Sequence, residues 1–269
     1  MAKPFLKWVG GKTKLVNQIT SNFPKIQEEN KYIEPFVGGG AVYFKLNPKK
    51  SLLLDSNADL IATYCAVRDN VEGVHKELAP IIKYSTITKY YSIRSVYNEE
   101  KSSLSNEKLA AYFIYLNKTC FNGIYRVNKN GHFNVPKGDS VESVEFDFNN
   151  LRLASEALKN AKICCLDFRH IGPYCNPGDL VYFDPPYDNT FTSYTTKAFA
   201  RDSQRDLRNL ALELIEKGCF VLVSNSNTSF IKDLYLKDFD ILNLHAYKSV
   251  SGKAHGRKSS DELLIIGKQ

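Results

Sequence analysis

Short aliphatic and β-branched runs alternate along this chain with longer amphipathic stretches, the rhythm of βαβ units. Lys31-Tyr32-Ile33-Glu34 reads as a strand stopped by Pro35 and the glycines Gly38, Gly39 and Gly40. Ser51 to Asp55 reads as a second strand, Ala161 to Asp167 as a third and Asp179 to Asp184 as a fourth. Cys219 to Asn225 follows as a fifth, after a helix from about Arg201 to Lys217. Phe239 to Leu244 and Leu263 to Ile266 are late strands expected to pair antiparallel at an edge. Runs this apolar fit a sheet buried on both faces by helices, so the expected fold class is α/β and doubly wound. Between the second and third strands the pattern changes. From about Ala58 to Asn117 it turns helical and polar, with tyrosine-rich stretches such as Tyr84 to Tyr97. Asn122 to Val135 then alternates around Asn130-Gly131, the strongest short hairpin signal in the chain. Residues 58–160 are therefore read as a module inserted into a discontinuous domain of residues 1–57 and 161–269.

Composition narrows the field. A length of 269 residues suits one α/β unit with an insertion, and 43% hydrophobic with 24% charged residues is an ordinary globular balance. Lys and Arg number 36 against 29 Asp and Glu, a net charge of +7 that mildly favours a polyanionic partner. No apolar run approaches the roughly 18 residues of a spanning helix. The start Met1-Ala2-Lys3-Pro4 has no apolar signal core. Six cysteines without paired spacing point to reduced thiols in a cytoplasm-like compartment. Membrane protein, secreted disulfide scaffold and fibre are set aside.

Glu34, Asp55, Asp167 and Asp184 each close a predicted strand. In a doubly wound sheet ligands bind beyond the carboxyl ends of the strands, so these acids are expected to line one crevice. The plainer alternative is that each caps the next helix. The loop Glu34-Pro35-Phe36-Val37-Gly38-Gly39-Gly40 allows close backbone approach to a ligand. It fails the dinucleotide fingerprint G-x-G-x-x-(G/A), whose last position is Tyr43 here. Asp55 can accept from a ribose diol, so loop and acid together suit a nucleoside-containing cofactor without a pyrophosphate. Gly10-Gly11-Lys12-Thr13 imitates a P-loop, but the required first glycine is Leu6.

Asp184-Pro185-Pro186-Tyr187 carries the sharpest chemistry. An amine on a heteroaromatic ring, such as adenine N6, is a poor nucleophile because its lone pair is delocalised. A carboxylate and a backbone carbonyl that both accept its N–H bonds push the nitrogen toward sp³ and free that pair. Pro185 can supply the carbonyl, and Tyr187 can stack on the ring.

With these motifs in order, the chain resembles the Dam-type, D12-class DNA adenine-N6 methyltransferases. The likeness rests on Phe5-Leu6-Lys7-Trp8-Val9-Gly10-Gly11-Lys12, the Glu34 to Gly40 loop, Asn122-Gly123-Ile124-Tyr125-Arg126 with Phe133-Asn134-Val135-Pro136, and Asp184 to Tyr187. It reaches down to Asp261-Glu262-Leu263-Leu264. The resemblance implies a Rossmann-like S-adenosylmethionine-dependent sheet with an inserted, mainly helical DNA-recognition module carrying a β-hairpin. It also implies methyl transfer from S-adenosyl-L-methionine to N6 of an adenine flipped out of double-stranded DNA, with no metal. By position, Trp8, Lys12, Glu34, Phe36, Gly38, Gly40, Asp55, Asp167, Phe168 and Asp184 would bind the cofactor. Asp184, Pro185, Pro186 and Tyr187 would be catalytic. The same resemblance implies the target GATC, read by Arg126 on a guanine. Phe121 would wedge into the base stack, and Lys7, Asn122 and Pro136 would touch the site. Tyr194, in a loop beside the flipped base, and Lys258, in a basic loop from Ala246 to Ser260, are further expected DNA contacts. Two positions depart from the family pattern: Asp139 stands where an arginine is common, and His132 where an acid or polar residue is common. Asp139 puts one outer contact in doubt.

Three other readings remain in view. The same chemistry could serve another DNA sequence, or a different acceptor such as cytosine N4, ribosomal RNA guanine or protein glutamine, although enzymes for those other acceptors usually open the tetrapeptide with Ser or Asn. A DNA-binding relative with a decayed site would lack the intact motifs. A nucleotide-dependent oxidoreductase would leave Asp184 to Tyr187 without a job. A cytosine-C5 enzyme is excluded, since the chain has no Pro-Cys pair.

Overall fold

The computed structural model of the chain describes residues 1–139, 144–188, 199–245 and 262–268. Its strands are β1 (Tyr32–Glu34), β2 (Ser51–Asp55), β3 (Ala161–Cys165), β4 (Leu180–Phe183), β5 (Phe220–Ser226), β6 (Phe239–Leu244) and β7 (Glu262–Gly267). They form one sheet in the order β3-β2-β1-β4-β5-β7-β6. β1 to β5 are mutually parallel, and their 3-2-1-4-5 order is that of a Rossmann-like doubly wound sheet. β7 enters antiparallel between β5 and β6. The late pair therefore closes an edge as expected, with the last strand on the inside.

Strand alternation divides the core into two layers. Tyr32, Leu53, Leu180, Tyr182, Leu222 and Leu264 join one cluster, while Ile33, Leu52, Leu54, Val181, Phe183, Val223 and Ile265 join the other. The second layer is roofed by α8 (Arg201–Glu216) and α9 (Ser229–Tyr235); Leu207, Leu210, Ala211 and Leu214 form the buried stripe of α8 at helical spacing. The helices α1 (Val16–Thr20) to α7 (Phe148–Leu158) pack on the first layer. In order, the others are α2 (Ala41–Leu46), α3 (Ala58–Asp69), α4 (Val71–Ile82), α5 (Ile87–Glu99) and α6 (Asn106–Thr119). α3 touches β2, β3, α6 and α7, so the apolar layer runs from the sheet into the inserted helices without a break.

β3 lies at the open edge and alternates buried and exposed residues, which explains why its run includes Lys162. It ends at Cys165, so Asp167 lies two residues beyond it. The hairpin is present but small. Val127 and Phe133 form one antiparallel bridge, and the turn bond runs from the Gly131 N–H to the Asn128 carbonyl. Lys129 and Asn130 are thus the central pair, and Gly131, at φ +77°, follows them. The Asn-Gly pair supplies the left-handed residue after the turn, and no two-residue primed turn forms.

Candidate active site

The parallel strands deliver their carboxyl ends to one edge, where the glycine loop after β1 makes the first wall. Asp55 accepts from the Gly38 N–H at 3.2 Å and the Asn57 N–H at 2.9 Å. Burial pushes its carboxyl up to about 6, against the pull of those bonds. Gly38, at φ +45°, faces the Trp8 indole so closely that a Cβ there would lie 2.7 Å from Cδ1. Only glycine fits that crossing. Phe36, Phe168 and Phe199 form an aromatic wall with ring centroids 5.3 to 5.8 Å apart. The four acids do not all share the crevice in one way. Glu34 is 2% exposed and accepts from the Tyr32 hydroxyl at 2.9 Å; burial raises its carboxyl well above the usual range. Asp167 caps the turn Phe168–His170 through the Arg169 N–H and pairs with the Arg169 guanidinium.

Asp184 stands one residue past β4, and the turn it opens is held from several sides. Lys12, 3% exposed, places Nζ 2.8 Å from Asp184 Oδ1 and 3.6 Å from Glu262 Oε2, and donates to the Gly10 carbonyl at 2.6 Å. The same ammonium lies 4.6 Å from the centroid of the Tyr187 ring. The Tyr187 hydroxyl donates to Glu262 Oε2 at 2.7 Å. Gln204 Nε2 donates to the Pro186 carbonyl at 2.9 Å and is itself held by Asn225 Nδ2 at 2.9 Å. Asp188 receives Arg201 Nε and Thr228 Oγ1, each at 3.3 Å. Burial drives the Asp184 carboxyl up to about 6, with Lys12 pulling the other way.

A second group of predicted residues gathers beside α6. Asn117, 3% exposed, accepts from the Lys7 N–H at 2.8 Å and donates to the Lys7 carbonyl at 2.7 Å and the Gly123 carbonyl at 3.3 Å. Lys7 packs against Gly123, whose φ of +66° and lack of a Cβ make room for it. Lys7 Nζ donates to the Lys118 carbonyl at 3.3 Å. Burial, then the charge of Lys7, lowers the Lys118 ammonium to about 8. Phe121 is exposed, Asn122 is left-handed at φ +55°, and the Pro136 carbonyl accepts the Phe121 N–H at 2.9 Å. Arg126 donates from Nε to Asn134 Oδ1 at 2.7 Å. The backbone of residues 133–135 is moored to one face of α5. Asn98 bonds both the N–H and the carbonyl of Phe133, while Tyr90 and Arg94 both donate to the Val135 carbonyl. Trp8 and Tyr125 stack at 6.2 Å and join the two groups. Asp139 and His132 are exposed. Tyr194 and Lys258 lie outside the described residues.

Residues 8–250 match the model of the family described as D12 class N6 adenine-specific DNA methyltransferase. The chain belongs to that class. It is 41% identical to the Type II methyltransferase M.MjaIII of Methanocaldococcus jannaschii, over 98% of both chains. It is 35% identical to the Type II methyltransferase M1.LlaDCHI of Lactococcus lactis subsp. cremoris, over 98% of this chain and 94% of the relative. A DNA adenine methylase of Haemophilus influenzae is 33% identical, over 98% of this chain and 93% of its own.

In this D12-class chain, four side chains at the site are given no role by the sequence reading: Glu262, although it lies in the Asp261 to Leu264 stretch of the resemblance, Gln204, Asn225 and Asn117. Three are buried amides whose partners come from distant segments, and no local spacing signals them. Glu262 opens a strand that runs against the others, so a search for acids at strand ends passes it by. No helix among the described residues is long and apolar enough to cross a membrane. No group of His, Cys, Asp or Glu among them is arranged to hold a metal ion.

Proposed function

We propose that this D12-class chain transfers the methyl group of S-adenosylmethionine to N6 of an adenine flipped out of duplex DNA, within GATC. The observation that carries this reading is the Asp184-Pro185-Pro186-Tyr187 turn, which opens beside the buried Lys12 on the sheet edge that also carries the glycine loop. The crevice residues fit the cofactor. Asp55, held by the Gly38 N–H of the glycine loop, offers acceptor oxygens to a ribose diol, and Phe36 and Phe168 offer an aromatic wall to an adenine ring. When bound, S-adenosylmethionine supplies an electrophilic methyl group on a sulfonium. Asp184 and the Pro185 carbonyl accept the two N6–H bonds, so the N6 lone pair is free to attack while its ring stacks on Tyr187. On gaining the methyl group, with the sulfonium leaving as a neutral thioether, N6 would become cationic. Its surplus proton leaves to Asp184 or to water. This chemistry needs no metal.

Residues 1–57 and 161–269 would do the chemistry and residues 58–160 would read DNA, a division of labour across one shared apolar layer. Arg126 reads a guanine with its guanidinium fork. Phe121 enters the stack, Lys7, Asn122 and Pro136 touch the site, and Tyr194 and Lys258 add contacts. One such pair of parts per chain lets a monomer act, and the reading places the protein in a DNA-containing cytoplasm. The exposed Asp139, where the family pattern has an arginine, favours a variant of the reading with relaxed discrimination at one outer base pair.

The test uses purified protein, labelled S-adenosylmethionine and two duplexes, one with GATC and one with those bases scrambled. Label in N6-methyladenine from the GATC duplex alone supports the reading in full. Label in both keeps the chemistry and drops the sequence. Label in neither, with the cofactor bound, overturns it.

A further inference from the structure

The pocket around Asp184 holds one ammonium and two carboxylates. Lys12 Nζ sits 2.8 Å from Asp184 Oδ1 and 3.6 Å from Glu262 Oε2, with 3% of the lysine side chain exposed. Glu262 is 17% exposed and already accepts the Tyr187 hydroxyl at 2.7 Å. It reaches this edge because β7 is antiparallel: Glu262 pairs with Ser226 at the carboxyl end of β5. The ammonium is therefore held closest to the carboxylate that, on the reading proposed above, must accept an N6–H bond. While Lys12 stays there, it offsets the charge that draws the N6 hydrogens and occupies one Asp184 oxygen.

We infer that Glu262 is a positioning residue that takes Lys12 away from Asp184 when the adenine arrives. The ammonium shifts onto Glu262, which Tyr187 holds in place, and Asp184 is released to the incoming amine. Lys12 keeps its protons throughout, and no covalent bond is made or broken. The inference rests on Asp184 being the N6–H acceptor. The other groups facing Asp184 do not compete for the ammonium. Tyr32, Tyr182 and Tyr187 are phenols whose ionisation burial opposes, and burial favours the protonated form of Glu34.

The experiment compares wild type with Glu262→Gln and Glu262→Asp in the full chain, using labelled S-adenosylmethionine and a methylatable duplex. In Glu262→Gln, kcat is expected to fall at least about tenfold, while cofactor Kd and the KM for DNA stay within about twofold. Its acid limb moves to lower pH, because Asp184 loses a negative neighbour and keeps Lys12. Glu262→Asp keeps the charge, restores the wild-type limb and recovers part of kcat. In a Lys12→Met background there is no ammonium to displace, so adding Glu262→Gln costs little more. An unchanged kcat in Glu262→Gln overturns the inference. So does a loss that is additive with Lys12→Met, or a loss with an unmoved acid limb and a lowered unfolding midpoint. An inactive wild type overturns the parent reading and this one with it. An active wild type with an indifferent Glu262→Gln overturns this one alone.

Discussion

On the proposed reading Asp184 must be ionised to accept an amine hydrogen, yet burial drives its carboxyl up to about 6. The consequence has a definite sign. Above that value the carboxylate dominates and the site is competent; as pH falls through it, protonation removes the acceptor. For the free enzyme we expect kcat/KM to lose activity on an acid limb near pH 6, and Asp184→Asn to abolish turnover while cofactor still binds. A pH–rate profile with parallel binding titrations checks both. Arg126 belongs to the same scale. Its Nε is committed to Asn134, which orients the guanidinium without using all five donors. If Arg126 reads a guanine as proposed, Arg126→Ala should cost roughly 1–3 kcal/mol of discrimination at that base, measured as the kcat/KM ratio of cognate to substituted duplex. Equal losses on both duplexes would assign Arg126 to phosphate. These residues were legible because their chemistry is tied to local motifs. Gln204, Asn225 and Asn117 were not, because each satisfies a backbone or side-chain group brought near only by the fold.

At the scale of elements, the sequence reads best where the period is cleanest. β2 spans Ser51–Asp55 as its apolar run predicts, and α8 follows its stripe of leucines. The hairpin reads less well, since one bridge carries it and its backbone finds partners on α5 instead. Tyr90, Arg94 and Asn98 recur every four residues, so they present one helix face to residues 133–135. A period-based reading assigns that face to the core and does not see that it grips backbone. Asn98→Ala should leave the buried Phe133 N–H and carbonyl without partners, at a cost of about 1–3 kcal/mol of stability. Denaturant unfolding measures that loss, and hydrogen exchange should show the Phe133 amide losing protection ahead of the sheet. Unchanged protection would mean that the bridge to Val127 holds the strand unaided.

Across the whole molecule, the segment from Lys7 to Lys12 ties the two groups of the site together. Lys7 lies on Gly123 beside α6, Trp8 crosses Gly38 at the glycine loop, and Lys12 reaches Asp184. The net charge of +7 gives the surface a general attraction for DNA, and each phosphate contact should show as a salt effect. Lys7→Ala should reduce the slope of log affinity against log salt by about 1 if Lys7 neutralises a phosphate. An unchanged slope with lost sequence preference would make it a base contact.

Trp8 is the single tryptophan of the chain, and it lies where the glycine loop and the stacked Tyr125 meet. The protein therefore carries its own optical probe, since every photon of indole emission comes from this junction. Filling the crevice changes the polarity around the ring, and any movement of the segment that carries Tyr125 changes its stacking on Trp8. Stopped-flow traces of the unlabelled protein should resolve cofactor entry and DNA engagement as separate phases. The order of those phases would give the order in which the two ligands are taken up.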